Sequence, residues 1–106
     1  MGHWSGHTRG LDIASDGRAR EYVNVVGFAR PLAIRFRILR VYGTGDDAVA
    51  RVRVTSVAGS RGILKLAHRP NLRADDAGNL LLKHGVITDG LTREVFCAPQ
   101  VDKCGL

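Results

Sequence analysis

Arginine offers the most chemistry in this chain. Arg35 and Arg37 alternate with apolar residues in Leu-Ala-Ile-Arg-Phe-Arg-Ile-Leu-Arg-Val-Tyr, and Arg51 and Arg53 do the same in Ala-Val-Ala-Arg-Val-Arg-Val-Thr-Ser-Val. Arg40 follows one step out of phase. A guanidinium is a planar fork of donors that stays charged and binds phosphate or carboxylate in a bidentate manner. Five of them at this spacing point to an anionic partner. The chain as a whole agrees, with 13 Arg against 3 Lys, a net charge of +6 and a pI near 10.2. The alternative is a solvated face, since period-two arginines commonly occupy the wet side of a sheet.

The other reactive residues are sparse. Cys97 and Cys104 could close a short loop near the C-terminus, which would stabilise by roughly 2–3 kcal/mol. Two reduced thiols are the other reading, because small disulfide-dependent domains carry more cysteines than this. His3 and His7 are four apart among glycines that argue against a helix, and His68 and His84 have no ligand spacing to either cysteine. No metal site is therefore expected, and Cys97 with His84 is a nucleophile pair on paper only. Asp75 and Asp76 stand beside Gly and Asn, where carboxylates usually bond local backbone amides as turn formers. Gly43 to Ala48 has the outline of a dinucleotide glycine motif. That motif needs a helix next, and Ala48 to Val57 alternates as a strand, so no cofactor is expected.

The elements that must position these residues follow from periodicity. Leu32 to Val57 reads as one long β-hairpin turning near Gly45, with Arg37 opposite Arg53, Arg35 opposite Thr55 and Leu39 opposite Arg51. Ile34, Phe36, Ile38, Ala50, Val52 and Val54 then share the core face. Alternation breaks at Leu39-Arg40. A β-bulge there would return Leu39 and Val41 to the core and place Arg40 with the other four arginines. Phe36 points away from them, which leaves that face without an obvious aromatic on which a base could stack.

Around the hairpin, residues 1–10 are rich in Gly and His without periodicity and read as a flexible arm. Leu11 to Ser15 reads as a short strand, and Glu21 to Ala29 as one covered on both sides. Ile63 to Ala67, Leu80 to Lys83 and Val86 to Thr88 are further strands, His68 to Asn79 is a loop, and Leu91 to Phe96 is strand or helical turn. With 13 glycines, three prolines and no capped 3.6-residue period, the 106 residues predict one antiparallel β-sandwich or small β-barrel over 11–106, with little helix.

Neither an apolar h-region near Met1 nor a run of about 20 apolar residues is present, so a soluble, cytoplasmic chain without membrane contact is expected. Three functions are ranked. The first is a non-enzymatic module that holds a polyanion, with a nucleic-acid backbone the first choice, through Arg35, Arg37, Arg40, Arg51 and Arg53. The second is a structural subunit of a homo-oligomer or virion-type particle. The third is a small enzyme or ligand-binding barrel, for which no catalytic residue is assigned.

Overall fold

Alternation in the sequence becomes inside and outside of a closed barrel. The computed structural model describes residues 2–6, 8–24, 27, 30–45, 47–59, 61–66 and 69–98. Its strands are β1 (Gly2–Gly6), β2 (Arg9–Ile13), β3 (Arg18–Val23), β4 (Leu32–Thr44), β5 (Asp47–Gly59), β6 (Ala77–Lys83), β7 (Val86–Asp89) and β8 (Val95–Cys97). One short helix, α1 (Gly62–Leu66), lies between β5 and β6. Each strand pairs antiparallel with the next, and Ser5 of β1 meets Cys97 of β8 to close the ring. The expected all-β barrel with little helix is what forms. No helix among the described residues is long and apolar enough to cross a membrane.

Inward positions fill the barrel. Leu11, Ile34, Phe36, Val52, Val54, Leu64 and Phe96 are all at 2% exposure or less, and Ile63, Leu72 and Leu91 pack with them. An eight-stranded barrel is just wide enough for its own side chains to occupy the interior, and these bulky residues do so at the end reached by α1.

The hairpin is present, turning through Gly45 with Thr44 opposite Asp47. Arg37 faces Arg53 as expected, but two irregularities shift the rest. One lies between Ile38 and Arg40, as the broken alternation implied, and puts Arg40 rather than Leu39 opposite Arg51. The other lies between Arg35 and Phe36, where Thr55 is the extra residue and Arg35 faces Ser56. Leu39 and Val41 do not return to the core; they are 49% and 58% exposed. The reason is length. Strand β3 accompanies β4 only from Leu32 to Arg37, so beyond Ile38 the β4 edge of the hairpin is left as a lip with no strand beside it, while β6 stays paired with β5 as far as Asp47.

Three further expectations are corrected. Gly2 to Gly6, read as an arm, is β1, paired residue by residue with Gly2 opposite Ile13 through Gly6 opposite Arg9. The apolar signal there is one residue, Trp4, which packs against the core. The strand expected from Glu21 to Ala29 begins instead at Arg18 and runs to Val23, with Ala19, Glu21 and Val23 buried and Arg18 and Arg20 exposed; Val25, Val26, Phe28 and Ala29 lie outside the described residues. Of the stretch Ile63 to Ala67, expected as a strand, residues 63–66 belong to α1 and Ala67 lies outside the described residues: Ile63 and Leu64 are adjacent and both buried, which a helical turn permits and a one-sided strand does not. Leu91 to Phe96 resolves into a turn followed by β8.

Two glycines carry the geometry at the hairpin's two ends. Gly45 has a φ of 63° with open space around it, whereas Gly59 has a φ of 94° and a Cβ there would sit 1.9 Å from the Pro31 carbonyl oxygen. Gly45→Ala should therefore cost about 1 kcal/mol of stability from backbone strain alone, and Gly59→Ala about 3 kcal/mol or more. Urea unfolding of the two variants checks the order.

Candidate anion-binding face

Because Phe36, Ile38, Val52 and Val54 point inward, their sequence neighbours point out. Arg35, Arg37, Arg40, Arg51 and Arg53 are all exposed on the outer face of β4 and β5. The register adds two residues that the hairpin alone could not disclose. Arg18 lies opposite Arg37, and Arg20 opposite Arg35. Three cross-strand rows result: Arg18, Arg37 and Arg53; Arg20, Arg35 and Ser56; Arg40, Arg51 and Asn79. Seven of the chain's 13 arginines thus share one surface. The Arg-Ala-Arg alternation at 18–20 was the signal, and only strand pairing showed that it continues the same face.

Counter-charge within the fold is slight. Arg18 Nε is 3.4 Å from Asp16 Oδ2, and Arg51 donates to Asn79 Oδ1 at 3.5 Å. Asp12, beside Arg20 across the strands, is bonded to His3 instead. Arg20, Arg35, Arg37, Arg40 and Arg53 form no ion pair among the described residues. Like charges opposed across strands destabilise a sheet by a few tenths to about 1 kcal/mol each, so the face gains from any external anion.

Its shape is concave. The Thr55 irregularity bends the sheet, and a depression of about 410 Å3 opens there, lined by Arg18, Arg20, Arg35 and Arg37 with Asp12 and Thr55. Aromatic rings flank the patch, which the sequence reading did not anticipate. Arg20 lies 5.4 Å from the centre of the Tyr22 ring, and Arg40 lies 5.2 Å from that of Tyr42. Phe36, as expected, is in the core.

The remaining candidates stay apart. Gly43 to Ala48 is the hairpin turn, not a strand-to-helix loop. Asp76 Oδ2 accepts the Arg73 N–H at 3.0 Å, a turn former, while Asp75 N–H and Asp76 C=O bond the backbone of Val54. Cys97 is buried in β8 and is not a free thiol; Cys104, with His7 and His68, lies outside the described residues. His84 is exposed in the turn between β6 and β7. No group of three or more His, Cys, Asp or Glu able to hold a metal occurs among the described residues.

A second polar cluster, missed from the sequence, lies inside the barrel. Glu21, Asp89 and Thr92 are essentially unexposed. Thr92 Oγ1 is 2.8 Å from Glu21 Oε2 and 3.1 Å from Asp89 Oδ2, and Asp89 Oδ1 accepts the Leu91 N–H at 2.8 Å. A hydroxyl has one proton to give, so both contacts are favourable only when one carboxyl holds a proton. Burial first, then the hydrogen bond and charge of Asp89, hold the Glu21 carboxyl well above the ordinary range; Glu94 adds to the rise and Thr92 opposes it. Glu21 Oε1 has no donor to accept from, which also favours the protonated form. Paired carboxyls are the usual means of acid–base chemistry, but these two are out of a substrate's reach.

Comparison with known protein families, curated proteins and solved structures gives no significant match. The reading of the site rests on its geometry.

The buried acid makes stability depend on pH. Folded Glu21 keeps its proton above the pH, about 4.3, at which an unfolded glutamate loses it. Stability from this group is therefore present at low pH and declines as pH rises from there until the folded carboxyl ionises. Glu21→Gln keeps the size and removes the titration. Its Tm relative to the native chain should rise as pH increases from about 4.5 and level off once the folded carboxyl ionises, as followed by scanning calorimetry; a difference independent of pH would show that Glu21 does not carry the proton.

Proposed function

We propose that this protein is a non-enzymatic binding module that holds a polyanion on the outer face of β3, β4 and β5, with a nucleic-acid backbone as the first choice. The observation that carries the reading is the seven-arginine surface with so little acid of its own. Arg18, Arg20, Arg35 and Arg37 line the depression, and Arg40, Arg51 and Arg53 extend the surface towards the hairpin lip. Charge-assisted hydrogen bonds to phosphate oxygens and release of condensed counterions supply the affinity. Tyr22 and Tyr42 give each end of the patch a ring beside a guanidinium, a setting in which an unpaired base stacks. That favours single strands over duplex and leaves sequence preference weak.

Binding should fall steeply with salt. A face engaging about five phosphates loses roughly 10²- to 10³-fold in affinity for a single-stranded oligonucleotide between 50 and 200 mM salt. Arg37→Gln with Arg53→Gln should weaken binding and reduce the slope of log K against log salt by about 1.5. Fluorescence anisotropy measures both. Absence of binding at low salt, or a slope untouched by the double substitution, would overturn the proposal.

A further inference from the structure

The interior of the barrel is not filled along its whole length. At the α1 end, large residues meet across the axis; at the other end the inward positions of β5 are Ala48 and Ala50, facing Leu82 and Leu80 of β6. Two alanines where a barrel of this size needs bulk leave a cup of about 290 Å3. Trp4, Ile38, Leu82 and Ile87 contribute to its wall, which is apolar throughout. Small-molecule sites are typically concave, apolar and found in the mouths of barrels.

The cup opens to solvent at the hairpin lip, where Val41 lines it and is itself 58% exposed. The exposed large apolar side chains among the described residues, Leu39, Val41, Tyr42 and Leu81, are all at this end. Cationic residues stand on the outer side of that lip. Arg40 lies over the Tyr42 ring and so is held at the lip, with Arg51 opposite it. Lys83 ends β6 on the next strand, and the acid facing it is Asp47. Among the described residues at this end of β4, β5 and β6 the balance is positive.

We propose that this mouth binds a single alkyl chain carrying an anionic head group. The chain enters the cup between Trp4 and the two alanines, and the head group stays at the lip beside Arg40 and Lys83. The cup shares no lining residue with the depression between β3 and β4, but Arg40 serves both readings, so a substitution confined to the cup is what separates their failures.

Trp4 is the only tryptophan in the chain and lines the cup, so its emission reports occupancy directly. The experiment titrates straight-chain alkanoates of six to twelve carbons, the matching alkanols and alkyltrimethylammonium ions into the full chain, each below its micelle concentration. Saturable change in Trp4 emission is expected, with affinity rising about three- to fourfold per methylene until the cup is full and then levelling. Alkanoates should bind about tenfold tighter than alkanols, and the cations weakest. Ala50→Leu should bind at least tenfold more weakly while its oligonucleotide affinity is unchanged; Ala48→Leu serves if that variant does not fold. No saturable change, affinity that rises with chain length without levelling, or full binding by a folded Ala50→Leu overturns the site. Equal affinity for alkanols and alkanoates overturns the head-group assignment. A concentration-dependent dimer in light scattering that alkanoates do not dissociate shows a second copy as the occupant instead.

Discussion

Closing an antiparallel sheet on itself forces every strand to divide its residues between a dry interior and a wet exterior, and β1 meeting β8 at Ser5 and Cys97 completes that division here. Once Phe36, Val52 and Val54 are committed to the interior, Arg35, Arg37, Arg51 and Arg53 have no place but the outer wall. The same constraint carries Ala19 inward and so sets Arg18 and Arg20 outside, directly against the hairpin arginines. The basic surface is thus a consequence of closure as much as of composition. It extends over three strands because those strands are neighbours in the ring.

Closure also separates the acids from the arginines. Glu21 and Asp89 are drawn into the interior, where one proton and the Thr92 hydroxyl make them tolerable. Asp12 bonds His3, and the Asp76 carboxylate accepts the Arg73 N–H in the loop before β6. Among the described residues, only Asp16 forms an ion pair with an arginine of the outer patch. No acid among the described residues pairs with opposed arginines such as Arg37 and Arg53. The two irregularities in the hairpin matter for the same reason: one brings Arg40 into line with Arg51, and the other hollows the surface between Arg20 and Arg35.

Much of this was legible in the residues. Period-two alternation placed the hairpin, its inward face and its five arginines, and the break at Leu39-Arg40 located one irregularity from the parity of Arg40 alone. What escaped had a physical reason in each case. Strand β1 has one large apolar residue, so its pairing partners, not its own pattern, make it a strand. The helix α1 is five residues long, too short for a helical period to show. Arg18 and Arg20 required knowledge of which strand lies beside β4. Glu21 is a carboxyl in an apolar run, and nothing local announces that Asp89 and Thr92, some 70 residues later, turn inward to meet it. The exposed lip came from a difference in strand length, which periodicity does not encode.

The central claim is that one outer face, and not the basic chain as a whole, holds the polyanion. Backbone amide and arginine Nε–Hε resonances followed during titration with a short single-stranded oligonucleotide test this most directly. The account predicts shifts confined to the outward residues of β3, β4 and β5, strongest at Arg18, Arg20, Arg35, Arg37 and Arg53, with Arg61, Arg69, Arg73 and Arg93 unmoved. Shifts of equal size at arginines on and off that face would contradict it, since they would reduce the interaction to net charge alone.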